Sequence, residues 1–206
     1  AAKMQTAAGE ALDLSKETKA TQAMYGIDDP ASAEFGKRCL ISRRLIERGV
    51  RFVQIMTGNQ TWDHHTSMRT SLPRACKRVD VPAAGLVKDL KQRGLLDETL
   101  VHWGGEMGRL PVIQNDAGMA KQGRDHNTYG FSMWLAGGGL KGGMTYGETD
   151  DFGHHAIKDK VSHSDYHATL MHLFGLDAER LTFTRNGAPQ TLIDGQENRV
   201  VKEIIA

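Results

Sequence analysis

Residues 34–56 read EFGKRCLISRRLIERGVRFVQIM. Phe35, Cys39, Leu40, Ile41, Leu45 and Ile46 recur at close to helical spacing, with Arg and Lys on the opposite face. Gly49 stands where such a helix ends, because a left-handed C-terminal residue costs least at glycine. Beyond it, residues 50–56 alternate and carry β-branched side chains, which is the period of a strand. A helix over 34–48, a glycine stop and a strand over 50–56 make half of an α/β unit.

The same grammar extends outward. Residues 28–34, DDPASAE, mark a break, with Asp29 or Ser32 available as a helix cap. Residues 1–24 read as a polar helix. Downstream, a polar loop over 57–70 leads to a helix over about 74–93, with Val79, Ala83, Leu86, Val87 and Leu90 on one face and Gly94 closing it. Residues 99–103 form a second strand, 105–128 a long irregular loop, and 131–136 a third strand running into three glycines. Residues 140–160 read as loop with one hairpin. A last helix starts at Ser162 or Ser164 and stops at Gly175, and the remainder is a loose tail with short strands. Helix and strand in this order predict an α/β domain with a mostly parallel sheet, whose ligands sit beyond the carboxyl ends of the strands. Three strands alone leave apolar surface open, so a second copy, a preceding half or further strands would cover it.

Composition narrows the classes. Lys plus Arg is 26 and Asp plus Glu 25, a net charge of +1 that argues against nucleic acid or an anionic membrane as the main partner. No apolar run is long enough to span a bilayer. Two cysteines, Cys39 and Cys76, allow one bridge or none and leave the redox compartment open. Twenty-three glycines exceed the usual ~7% and nine histidines are also many, which points to loops that approach something closely and to metal chemistry. The chain opens on Ala1-Ala2-Lys3 with no leader pattern, as one piece of a longer protein would.

Four polar clusters carry candidate chemistry. Trp62-Asp63-His64-His65 follows the first strand. Asp63 and His65, two apart on a loop, can face one centre and suit zinc, manganese or iron better than calcium, or the stretch is a turn with a hydrogen-bonded His and a packed Trp. Gly104-Gly105-Glu106-Met107-Gly108-Arg109 sets Arg109 to fork onto a phosphate, sulfate or carboxylate, or to pair with Glu106. Gly123-Arg124-Asp125-His126-Asn127 precedes the third strand. If that strand is parallel the cluster lies at the wrong end of the sheet, so either the strand is antiparallel or the 109–126 loop crosses the active face. His163 and His167 share a helical face at a spacing that can chelate, although Asp165 also favours the helix N-terminus on its own. No nucleophile elbow, phosphate-binding loop or dinucleotide fingerprint is present.

The stretches RGVRFVQI, WDHH, DLKQRGLLDETLVHWGGEMGR, GRDHNTYGFSMWLAGGGLKGGMTYGETDDFG and HSDYHATLMHLFGLD closely resemble the domain of unknown function 1501 family, from about residue 1 to 195. Those proteins look like members of the alkaline phosphatase and sulfatase superfamily. The resemblance implies an alkaline-phosphatase-like α/β/α sandwich, of which residues 1–206 would be a single domain forming the C-terminal portion. It also implies ester hydrolysis by a Ser, Thr or formylglycine nucleophile with one or two metals. Asp63, His65, Glu106 and His126 match the metal ligands, and Met107 stands where the superfamily usually has a further His. Asp125, His163 and His167 are secondary ligand candidates. The nucleophile has no counterpart here and is expected in an earlier half, together with an export signal that would place the protein in a periplasm or outside the cell.

The expected function is therefore a metal-dependent hydrolase of phosphate or sulfate esters, using zinc, calcium or manganese. Arg109 or Arg124 would hold the anionic group, and the substrate would be a small anionic ester or a sulfated or phosphorylated carbohydrate. The chain alone is expected to be inactive. The alternative is a non-catalytic binding or structural module in an exported complex, favoured by Met107. A structural calcium site in Glu148-Thr149-Asp150-Asp151 is a third reading.

Overall fold

A computed structural model describes residues 9–193 and 195–206. The polar helix expected over 1–24 falls partly outside them. Residues 9–12 are helical, Leu14–Lys16 form a 3-10 turn, and α1 spans Lys19–Met24 with Thr18 as its side-chain cap. Helix α2 spans Ala33–Ile46, close to the stretch the apolar spacing marks, and Gly49 (φ 82°) follows in the left-handed conformation. Helix α3 spans Met68–Gln92. It begins six residues before the expected start and carries Pro73 and Pro82 inside, each omitting one backbone hydrogen bond.

The chain divides into two compact units, residues 1–95 with 112–125, and residues 96–111 with 126–206. In the first, α2 and α1 pack on α3. Tyr25, Cys39 and Leu40 form the buried centre, with Phe35, Ile55 and Leu86 against them. Two glycines permit this closeness. A Cβ on Gly36 would stand 2.1 Å from the Tyr25 carbonyl oxygen, and one on Gly85 2.3 Å from that of Met24.

Beside this core lies an ionic network that helical periodicity does not reveal. Arg43 falls on the polar face of α2 yet is 2% exposed. Its guanidinium meets Glu17 at 2.9 Å, Glu47 at 2.6 Å and Asp89 at 3.0 Å. The Tyr25 hydroxyl donates to Asp89 at 2.9 Å, Arg93 bridges Asp89 and Glu47, and Arg44 pairs with Glu17. Three cations and three carboxylates balance, which is the condition for burying charge at all.

In the second unit the strands are β1 (Val101–Trp103), β2 (Gly108–Arg109), β3 (His126–Asn127), β4 (Trp134–Ala136), β5 (Glu148–Thr149), β6 (Ala156–Lys158), β7 (Thr182–Arg185) and β8 (Ala188–Thr191). They form four two-stranded antiparallel pairs, β1 with β4, β2 with β3, β5 with β6 and β7 with β8. The expectation of an α/β/α sandwich with a mostly parallel sheet is overturned. A parallel pair needs a crossover of a dozen or more residues, usually a helix. The chain from β1 to β4 holds only the β2 and β3 strands and the 3-10 turn Met119–Lys121, so β4 returns antiparallel with Trp103 opposite Trp134. Their indoles stack at 6.2 Å. Residues 50–56 keep the two-residue alternation, with Phe52 and Met56 outward and Val53 and Ile55 half-buried, but join no ladder among the described residues.

Helix α4 spans His163–Leu173. Ser162 and Asp165 close a capping box at its start, and Gly175 (φ 73°) follows its end. Ala168 and Met171 of α4 pack with Ala178, Leu181 and Ile193. The β7–β8 hairpin turns through Asn186 and Gly187, both at positive φ as a two-residue hairpin turn requires. Cys39 and Cys76 are free thiols. No helix among the described residues is long and apolar enough to cross a membrane.

Candidate metal-binding loop

The loop between residue 57 and α3 is built from tight turns. Asp63 N–H donates to Gln60 O and His64 N–H to Trp62 O. Trp62 donates its indole N–H to Thr57 Oγ1 at 3.1 Å, while His64 is buried with Nδ1 2.9 Å from Ser71 Oγ. Trp62 and His64 thus do the packing, and the alternate residues Asp63 and His65 stay about one-third exposed. The turn reading of WDHH, with a hydrogen-bonded His and a packed Trp, describes His64 and Trp62.

Residues 112–125 lace against this loop. Gln114 and Gly123 exchange both backbone hydrogen bonds at 2.9 Å. Lys121 and Gln122 carbonyls receive the N–H groups of Ser67 and Met68, satisfying donors that a helix start leaves open, and Arg124 N–H donates to His64 O. Ser67 enters α3 at φ 52°, a left-handed conformation that costs a non-glycine residue roughly 1–3 kcal/mol. A Cβ at Gly123 would stand 2.0 Å from His65 O and 2.5 Å from His64 O, so only glycine lets the two segments meet.

This clamp assembles a set of polar groups within the first unit. His65 Nε2 lies 3.0 Å from Asp63 Oδ1. Its other nitrogen, Nδ1, lies 2.8 Å from Gln114 Oε1 and 3.6 Å from Asp125 Oδ1. Two ligands each about 2.0–2.2 Å from one ion stand about 2.8–3.6 Å apart in octahedral or tetrahedral geometry. Asp63 and His65 stand at a separation within that range, with a carboxylate oxygen and an imidazole nitrogen.

Arg124 precedes Asp125 in the first unit. In the second, His126 opens β3 in register with Arg109 of β2. Glu106 is exposed, and its backbone carbonyl lies 3.2 Å from His163 Nε2. His163 also packs on Phe131, and His167 against Tyr166. Burial, aided by the charge of His167, lowers the pKa of His102. Within this unit no three His, Cys, Asp or Glu side chains converge among the described residues. Asp150 accepts from the N–H groups of Phe152, His154 and His155, and Glu148 pairs with Lys158, so the acidic 148–151 loop uses these carboxylates to hold its own turn. The sequence offers no signal for Gln114, which lies 49 residues from His65.

The family model described as "Protein of unknown function (DUF1501)" matches residues 1–205. The chain belongs to the DUF1501 family. No curated protein and no solved structure matches it. In this DUF1501 chain the Asp63–His65 pair is accessible to solvent, on a loop whose backbone is held from behind by residues 112–125.

Proposed function

We propose that this chain carries part of a divalent-metal centre of a hydrolase acting on phosphate or sulfate esters. The observation that supports it is the 3.0 Å approach of His65 Nε2 to Asp63 Oδ1 on a clamped, accessible loop. A bound divalent ion supplies Lewis-acid polarisation of the ester oxygen and lowers the pKa of a nucleophile or water. Asp63 contributes charge to hold it and His65 a neutral nitrogen. The resemblance to the alkaline phosphatase and sulfatase superfamily adds Glu106 and His126 as further ligands and Arg109 and Arg124 as groups that receive the anionic ester. No residue of this chain is assigned as nucleophile.

The test is calorimetric titration of Zn²⁺ and Mn²⁺ into the wild-type chain and the Asp63→Ala, His65→Ala and His126→Ala variants, with circular dichroism to verify folding. The expected result is saturable binding that each substitution weakens. A folded chain that binds neither ion would overturn the metal reading and favour a non-catalytic binding module. Equal binding by wild type and all variants would remove these residues from the site.

A further inference from the structure

We propose that residues 197–206 are a strap that opens as one unit together with the start of α4, and that Asp165 is the positioning residue that joins the two. The device lies wholly within the second unit and does not depend on the metal reading above.

The carboxylate of Asp165 serves two segments at once. Its Oδ2 accepts the Ser162 N–H at 3.0 Å, which closes the capping box of α4, and its Oδ1 accepts the Arg199 N–H at 2.8 Å. Both oxygens belong to one planar group, so neither bond can turn away without disturbing the other. One turn further along α4, the Thr169 hydroxyl donates to Asp165 O at 2.7 Å and accepts the Val201 N–H at 3.0 Å. Ser164 Oγ donates to Glu197 O at 2.9 Å. Side chains of α4 thus hold the backbone at residues 197, 199 and 201, every second residue, which is the period of extended chain. The far end of the strap ties to the turn after β4. Lys141 N–H donates to Ile204 O and Ala206 N–H to Gly139 O, each at 2.9 Å, and Lys141 Nζ reaches Glu203 O at 2.9 Å. Arg199 adds a bond to Tyr146 Oη at 3.2 Å.

Polar contacts do most of this holding. Val201, 1% exposed, is the one buried side chain of the strap, and the cluster of Ala168, Met171, Ala178 and Ile193 includes no strap residue. A segment held by hydrogen bonds with little buried apolar area opens at a lower free energy than the core it lies on. The strap can therefore leave while that core stays packed. When it leaves, Asp165 loses one of the two backbone partners that fix its carboxylate, and the first turn of α4 loosens with it. That turn carries His163, whose ring rests on Phe131 and beside the Glu106 carbonyl, so the opening also frees this ring.

The experiment is amide hydrogen exchange, read by NMR on the full chain, in wild type, Thr169→Val and Asp165→Asn. The amides of Arg199 and Val201 report the strap, that of Tyr166, which donates to Ser162 O, reports the first turn of α4, and that of Met171 reports the core. In wild type the first three should exchange with one common opening free energy, and faster than Met171. Thr169→Val removes a strap contact and no cap contact. It should speed Val201, Arg199 and Tyr166 together by about 2–10-fold, the effect of one neutral hydrogen bond, and leave Met171 unchanged. Asp165→Asn replaces an accepting oxygen with a donor and should speed the same three by about 10–100-fold. Acceleration of Val201 alone in Thr169→Val, or of none of the three, would overturn the proposal. So would wild-type strap amides as slow as Met171, or equal acceleration at Met171, since the strap would then open only with the whole core.

Discussion

His65 Nε2 and Asp63 Oδ1 stand 3.0 Å apart although a single residue separates them in sequence. The intervening His64 turns the other way, into the protein, where Ser71 holds its ring. The loop can present this pair only because residues 112–125 hold its backbone from behind. Asp63→Asn keeps the shape and an oxygen but removes the charge. It should reduce affinity for Zn²⁺ by more than about 10-fold while leaving the melting temperature close to wild type, since the pair is one-third exposed and such pairs stabilise little. Calorimetry on the two proteins checks this.

Gly123→Ala tests the clamp. The new methyl would stand 2.0 Å from a backbone oxygen, which no rotamer change relieves. Overpacking of this kind costs about 1–3 kcal/mol, read as a lower urea midpoint. Because the displaced atoms belong to His64 and His65, metal affinity should fall with stability. An unchanged midpoint would mean that the two segments do not meet as described.

Arg43→Ala tests the buried network. Removing one partner leaves Glu17, Glu47 and Asp89 facing one another and should cost about 3–5 kcal/mol. Burial would push the Glu17 carboxyl up, but hydrogen bonds and charge from Arg44 and Arg43 outweigh it and hold its pKa below the ordinary 4.5. A depressed folded-state pKa stabilises fully above the unfolded value and is lost as pH falls through the folded one. Wild type should therefore lose stability below about pH 4.5, and the gap between wild type and Arg43→Ala should narrow there. Urea midpoints at descending pH measure both.

The thiols should separate by reactivity. Cys39 is 1% exposed and burial pushes its pKa up to about 12, whereas Cys76 is exposed. A disulfide reagent should label Cys76 in the folded chain and reach Cys39 only on denaturation. Rapid labelling of both without denaturant would contradict the buried placement of α2.

Sequence legibility followed the range of the forces. Helix α2 and helix α4 were legible because apolar spacing, Ser162 and the glycines Gly49 and Gly175 are local signals. The start of α3 was not: the helix expected from about residue 74 begins at Met68. Strand direction was not legible either. Val101–Trp103 and Trp134–Ala136 show the composition of strands, but whether they pair parallel depends on the chain between them. The burial of Arg43 escaped because its three carboxylates come from three different segments. In the site, Asp63 and His65 were readable as neighbours, while Gln114 reaches His65 only through the folding of a distant loop. The irregular loop expected over 105–128 divides between the two units, which no local pattern announces.

The most direct measurement is anomalous diffraction from crystals of the chain grown with Mn²⁺ or Zn²⁺. The expected result is a peak about 2.0–2.2 Å from both Asp63 Oδ1 and His65 Nε2, lost in Asp63→Ala. A map with no peak beside this pair, and His65 Nε2 hydrogen-bonded directly to Asp63 at saturating metal, would contradict a metal centre in this loop.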